Sequence, residues 1–176
     1  MIIPGSLPPD TAWFACLGLP LSAVDLRDAR AYLCALGCSE QIEVRGVSGW
    51  REAESILRSS DWDVRWWQRE EDERTALTSK AHARLGEAAA RERLSATSEF
   101  NADPIHGAAA IAAARDGGAD AALIRCASGA AAMALHERAL AQLAECGSEH
   151  LFVRKYRLFE SGRWPLCVLR DSFFLF

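Results

Sequence analysis

The sequence lacks most of the features that announce a function. No run approaches the ~18 consecutive apolar residues of a bilayer-spanning helix, so no membrane partner is expected. The opening residues, Met1-Ile2-Ile3-Pro4-Gly5, hold no basic stretch followed by an apolar one. No export signal is expected, and a cytoplasmic location follows. There is no G-x-S-x-G nucleophile elbow, no G-x-G-x-x-G turn and no Walker loop. None of His82, His106, His136 and His150 stands in an H-x-E, H-E-x-x-H or H-x-x-x-H pattern, and no Glu lies three residues before any of them. A concentrated basic excess is missing too. The formal net charge is -4, which argues against nucleic acid as the main partner. Cys16, Cys34, Cys38, Cys126, Cys146 and Cys167 are scattered, so free thiols are expected rather than a disulfide framework. These absences leave no cofactor to expect.

What is present is an ordinary globular composition, 50% apolar and 25% charged. At 176 residues the chain fits one domain, residues 1–176, large enough for a full core without disulfides or metals. Four of the six prolines, Pro4, Pro8, Pro9 and Pro20, fall in residues 1–20. Proline lacks an N–H and restricts the residue before it, so this stretch reads as an extended arm. Trp13, Phe14 and Leu17 would dock it on the domain.

Ser22 with Asp25 three residues on reads as a capping box, and Leu26, Ala29, Leu33 and Leu36 repeat at helical spacing up to Gly37. Residues 41–47 alternate as a half-buried strand, 50–59 read as a short helix, and 61–67 lean to a second strand. A helical reading of 61–67 stays open, because Trp62 and Trp66 are four apart. A long helix is expected over 69–94 and a polar loop over 95–103. Pro104 then opens a helix ending at Gly117-Gly118, and the alanine-rich 119–145 follows as one helix or two joined near Gly129. A last helix over 151–160 precedes two apolar runs separated by residues 170–172. The fold class is therefore α+β, mainly helical, with a small mixed sheet: a β-α-β unit at 41–67 and a C-terminal β-hairpin at 166–176.

The strongest anomaly is tryptophan. Four of the six lie in 50–67: Trp50, Trp62, Trp66 and Trp67. Indole rings are large, flat and enriched at binding hot spots. The plainer alternative is that one ring covers the core and another lies under the arm. Glu70, Glu71 and Glu73 follow at once, and acids beside aromatics suit steering toward a basic partner. These residues, Trp62, Trp66, Trp67, Glu70, Glu71 and Glu73, define a candidate protein-binding surface. A second constellation is the tail from Arg157 to Leu166, where a glycine turn and Pro165 would hold Arg163 for carboxylate or phosphate recognition, unless Glu160 pairs with it. Cys34 and Cys38, four apart, could offer two sulfurs to a metal, yet the usual further ligands are missing and buried thiols are the plainer reading.

Two function classes follow. The favoured one is a non-enzymatic interaction module, such as an inhibitor, an immunity-like protein or an accessory subunit, that binds another protein through its tryptophan and acidic surface. The alternative is a small enzyme or ligand-binding domain whose anion or ligand site gathers Arg163, Glu160, His106, His136 and Asp103.

Overall fold

The computed structural model describes residues 12–176, over 98–100 by the backbone alone. Among these residues the order is α1 (Ala23–Ala35), β1 (Glu43–Gly46), α2 (Trp50–Leu57), α3 (Val64–Leu85), α4 (Glu87–Arg115), α5 (Ala121–Leu143), α6 (Leu151–Glu160), β2 (Pro165–Leu169) and β3 (Ser172–Leu175). The architecture is α+β and mainly helical, with one three-stranded mixed sheet of order β1-β3-β2.

Helix α1 starts as its sequence dictates. The Ser22 hydroxyl accepts from Asp25 N–H at 3.1 Å, and the Asp25 carboxylate accepts from Ser22 N–H at 2.8 Å. It stops at Gly37, whose φ of 72° is open to glycine at little cost. There Gly37 N–H reaches Cys34 O and Cys38 N–H reaches Leu33 O, both at 2.9 Å, the two bonds of a Schellman motif.

The expected C-terminal hairpin is formed. Strands β2 and β3 pair antiparallel, and Arg170 at φ 54° opens the turn between them. Trp164 and Phe176 exchange backbone bonds at the open end. Strand β3 is central, and its side chains alternate between two cores. Phe173 and Leu175 belong to the cluster with Tyr32, Leu33 and Leu140. Phe174 and Phe176 belong to the one with Trp50, Trp164 and Phe159. Burial on both faces accounts for the continuous apolar run in the sequence.

The β-α-β unit expected at 41–67 is not formed. Strand β1 does run parallel, but to β3, in the register Glu43↔Ser172 to Gly46↔Leu175. The second strand is reduced to one bridge, Trp62 to Leu169, with Asp63 N–H donating to Val168 O at 3.0 Å. Asp63 then caps Arg65 N–H at 3.0 Å and α3 begins. The helical alternative therefore holds from Val64 onward, because a capping aspartate interrupts the alternation that a strand would need.

The helices further on also divide differently. Helix α3 ends at Gly86, and α4 then runs unbroken through the expected loop at 95–103, with Pro104 inside it. Polar side chains there fold back on their own helix. The Thr97 hydroxyl donates to Arg93 O at 3.0 Å, and the Asn101 amide donates to Thr97 O at 2.6 Å. Thr97, Asn101 and Ile105 are buried at four-residue spacing, so a stretch that reads as polar loop is an inward helical stripe. Helix α5 is a single helix. Its Ala127, Ala131 and Ala134 and the Ala109, Ala112 and Ala113 of α4 are all buried in one cluster, where small side chains let two helices approach closely.

Of the expected arm, residues 1–11 lie outside the described residues. Residues 12–20 form turns rather than an extended stretch, with Trp13 and Phe14 buried and Leu19 and Pro20 left exposed. Trp13 meets the Tyr156 ring edge-on at 5.8 Å, and Phe14 meets Phe159 at 6.3 Å. Gly162, at φ 85°, accepts from Cys16 N–H at 3.2 Å, and a Cβ there would come within 2.9 Å of Ala12 O and Cys16 N. Only glycine fits that contact.

Candidate functional site

Helix α3 positions two different sets of side chains. Its inner face carries Trp66, Glu70, Arg74, Leu77 and Ala81, spaced three and four apart. Glu70 is buried. One oxygen accepts from the Tyr32 hydroxyl at 2.6 Å, and the other pairs with Lys155 Nζ at 2.7 Å. Lys155 also reaches Glu137 Oε2 at 3.0 Å. Glu137 is fully buried on α5, and its Oε1 accepts from Arg74 Nη2 at 2.6 Å. Trp66 Nε1 donates to the Tyr32 hydroxyl at 2.9 Å. Two carboxylates and two cations thus sit inside the fold, tying α1, α3, α5 and α6 together. Burial and the Glu70 charge push the Tyr32 phenol well up, so it stays protonated and donates. Burial also pushes the Glu137 carboxyl up. Lys155 pulls it back, the Glu70 charge adds to the rise, Arg74 opposes it, and the balance stays raised.

The expected acidic surface is corrected at Glu70 alone, since the Glu71 and Glu73 side chains stay 41% and 37% exposed. Glu70 is interior. Glu71 pairs with Arg74, and Glu73 accepts from His150 Nε2 at 2.9 Å. His150 Nδ1 meanwhile accepts from Phe152 N–H at 3.3 Å and caps α6, so the ring proton sits on Nε2. Glu71 thus has a cation of its own chain beside it, while Glu73 has a histidine ring.

The outer side of the same segment is apolar and uncovered. Trp62 is 39% exposed, Trp67 55% and Val64 73%, while Trp66 is turned inward. The base beneath Trp62 is fixed. Trp62 Nε1 donates to Ile56 O at 3.3 Å, and the backbone at 62–63 is bonded to β2. Two flanking charges are paired, Asp61 with Arg170 at 2.6 Å and Asp63 with Arg65 at 2.9 Å, while Asp72 accepts from the neutral Gln68 amide at 2.8 Å. Of the expected contact residues, then, Trp62 and Trp67 stand at the surface, while Trp66 and Glu70 do not.

The alternative site is not assembled. Arg163 is buried, and its guanidinium holds Cys16 O at 2.5 Å, Leu19 O and Pro20 O at 2.8 Å, and Asp25 Oδ2 at 2.9 Å. It anchors the N-terminal turn rather than offering itself to a ligand. Burial pushes the Asp25 carboxyl up, but Ser22 and Arg163 outweigh it and leave the group below its usual range. Glu160 stands 3.6 Å from Arg138, not Arg163. His106 meets the Ser128 hydroxyl at 3.3 Å on the surface. His136 is half-buried, and burial and the Arg74 charge push it down. Asp103 is exposed on α4. None of these five lines any of the three described cavities.

Those cavities lie elsewhere. One of about 320 Å³ opens at the end of α1 beside Cys34 and Cys38. Two more, of about 370 and about 230 Å³, share Glu54, Asp120 and Leu123 between α2 and the start of α5. Among the described residues no three or more of His, Cys, Asp and Glu group as a metal site, and no helix is long and apolar enough to cross a membrane.

Sequence reasoning missed Tyr32, Arg74, Glu137 and Lys155. A signal existed for the last. Lys155 stands four residues after Leu151 and four before Phe159, on the apolar face of α6, whereas Arg154 and Arg157 lie off it, and a cation on that face calls for a buried acid. No family model, curated protein or solved structure matches the chain.

Proposed function

We propose that the chain is a non-enzymatic binding protein that presents the 62–67 segment to another protein. The observation carrying this reading is the pair of exposed indoles, Trp62 on backbone bonded to β2 and Trp67 in the first turn of α3, three residues after the exposed Val64. A ring held in place before contact loses little entropy on binding, and tryptophan is among the residues that dominate interface energetics. Glu70 is buried and Glu71 pairs with Arg74, so the rings are what this surface offers first, and the partner is one with an apolar cleft for them, with Asp72 and Glu73 as the acids beside it. The reading invokes no cofactor.

The test is immobilised full-length protein against native lysate, followed by reconstitution with the captured protein in purified form. Truncating a central tryptophan typically costs about 2 kcal/mol or more. Trp62→Ala/Trp67→Ala is therefore expected to weaken the reconstituted complex by at least ~30-fold, with the circular-dichroism spectrum unchanged. Equal affinity for the double variant, or no captured protein that reconstitutes, overturns the proposal.

A further inference from the structure

Two of the six cysteines share one cavity. Cys34 lies in the last turn of α1 and is exposed, while Cys38 follows the Gly37 turn and is half-buried. The Schellman bonds from Gly37 to Cys34 O and from Cys38 to Leu33 O fold the chain back, so both residues line the same cavity of about 320 Å³. Both are free thiols. In neither of the other two described cavities do two cysteines meet.

We infer that Cys34 and Cys38 form a two-sulfur site for a soft monovalent cation, Cu(I), at the C-terminal end of α1. The donor set selects the ion. Structural zinc takes four ligands in a tetrahedron, and among the described residues no third His, Cys, Asp or Glu joins the pair. Sulfur ligands favour Cu(I) over the harder divalent ions, and Cu(I) accepts two donors in a line. Glu40, the acid in the cavity wall, offers hard oxygen that a soft ion does not prefer.

Charge agrees with this assignment. When the ion binds, each thiol gives its proton to solvent and two S–Cu bonds form, with no change of oxidation state. The bis-thiolate carries one net negative charge. Arg69 of α3 places Nη1 3.7 Å from Cys38 Sγ, while the same nitrogen holds Gly37 O at 2.9 Å. Arg30 lines the cavity as well. Two cations therefore stand where the complex needs them, at a helix end whose dipole alone would disfavour an anion. Leu33 and Ile42 supply an apolar wall.

The test is an anaerobic titration of the reduced full-length chain with Cu(I) in competition with a chromophoric Cu(I) chelator. The native protein is expected to draw one ion per chain from the chelator, with an ultraviolet thiolate-to-copper band and release of protons. Cys34→Ser and Cys38→Ser should each abolish this, Cys126→Ser should not, and Arg69→Met should weaken it about tenfold. Circular dichroism of the metal-free variants checks the fold. Cys34 is exposed, so Cys34→Ser alone decides if Cys38→Ser fails to fold. Retention of copper by Cys34→Ser, or its loss with Cys126→Ser, or failure of the native chain to compete, overturns the inference.

Discussion

The two sides of α3 use the same residue types to opposite ends. Inward, Trp66 gives its N–H to Tyr32, Glu70 meets Lys155, and Arg74 meets Glu137. Outward, Trp67 is left more than half exposed, and Asp72 finds only Gln68. Adjacent positions on a helix point about 100° apart, so one step along the chain separates a ring that completes the interior from a ring with nothing over it. The difference teaches where to look for each property. Burying charge is costly and is tolerated only where every group is paired, so the inner side answers to folding. An exposed aromatic contributes little to the fold, so the outer side is free to answer to binding.

The largest effect should come from breaking the inner set. Lys155→Met leaves Glu70 and Glu137 facing each other without their shared cation. Removing one partner of a buried pair costs about 3–5 kcal/mol, measurable as a lower midpoint in urea unfolding. Replacing all three together, as Glu70→Gln/Lys155→Met/Glu137→Gln, should recover part of that loss, because no uncompensated charge then remains. If Lys155→Met unfolds like the native chain, the inner side of α3 does not determine folding.

A smaller effect lies in the pH dependence. His136 is held down by burial and by the Arg74 charge. Above its unfolded value of 6.5 the ring is neutral in both states. As pH falls below that, the unfolded chain takes the proton first, and stability falls until the folded group titrates as well. Glu137, pushed up by burial, runs the other way, so the readout is the difference between native and His136→Gln chains. Between about pH 7.5 and about pH 5.5 the native chain should lose more stability than the variant. Parallel curves would show that His136 is solvated.

The sequence exposes local signals far better than distant ones. Ser22 and Asp25 are three residues apart, and the cap they imply is formed. The hairpin is equally local. Residues 62–67 are ambiguous because Trp62, Val64 and Trp66 satisfy a period of two while Trp62 and Trp66 also satisfy a helical one; the Asp63 cap tips the balance. Stretch 95–103 misleads because Thr97 and Asn101 bond to their own helix, which composition does not reveal. The inner network is the least legible part. Tyr32 and Glu70 are 38 residues apart, Arg74 and Glu137 63, and Glu70 and Lys155 85, and nothing in a lone charge says that its partner waits that far away. For the same reason Glu70 reads as part of a solvated cluster, while of the tryptophans in 62–67 two, Trp62 and Trp67, are exposed and Trp66 is turned inward.

The smallest expected effect is also the one that separates the two sides most cleanly. Trp67→Ser removes a ring that is already more than half in water. Surface substitutions of this kind usually change stability by less than ~0.5 kcal/mol. Trp66→Phe keeps an aromatic ring but deletes the N–H that Tyr32 receives, and a lost buried hydrogen bond costs about 1 kcal/mol. The bulkier change on the outer side should therefore disturb the fold less than the conservative change beside it. Urea unfolding of the two variants under one set of conditions reads the ranking directly. If Trp67→Ser proves the more destabilising, its ring is packed in solution, and the outer side of α3 has no surplus apolar surface to offer a partner.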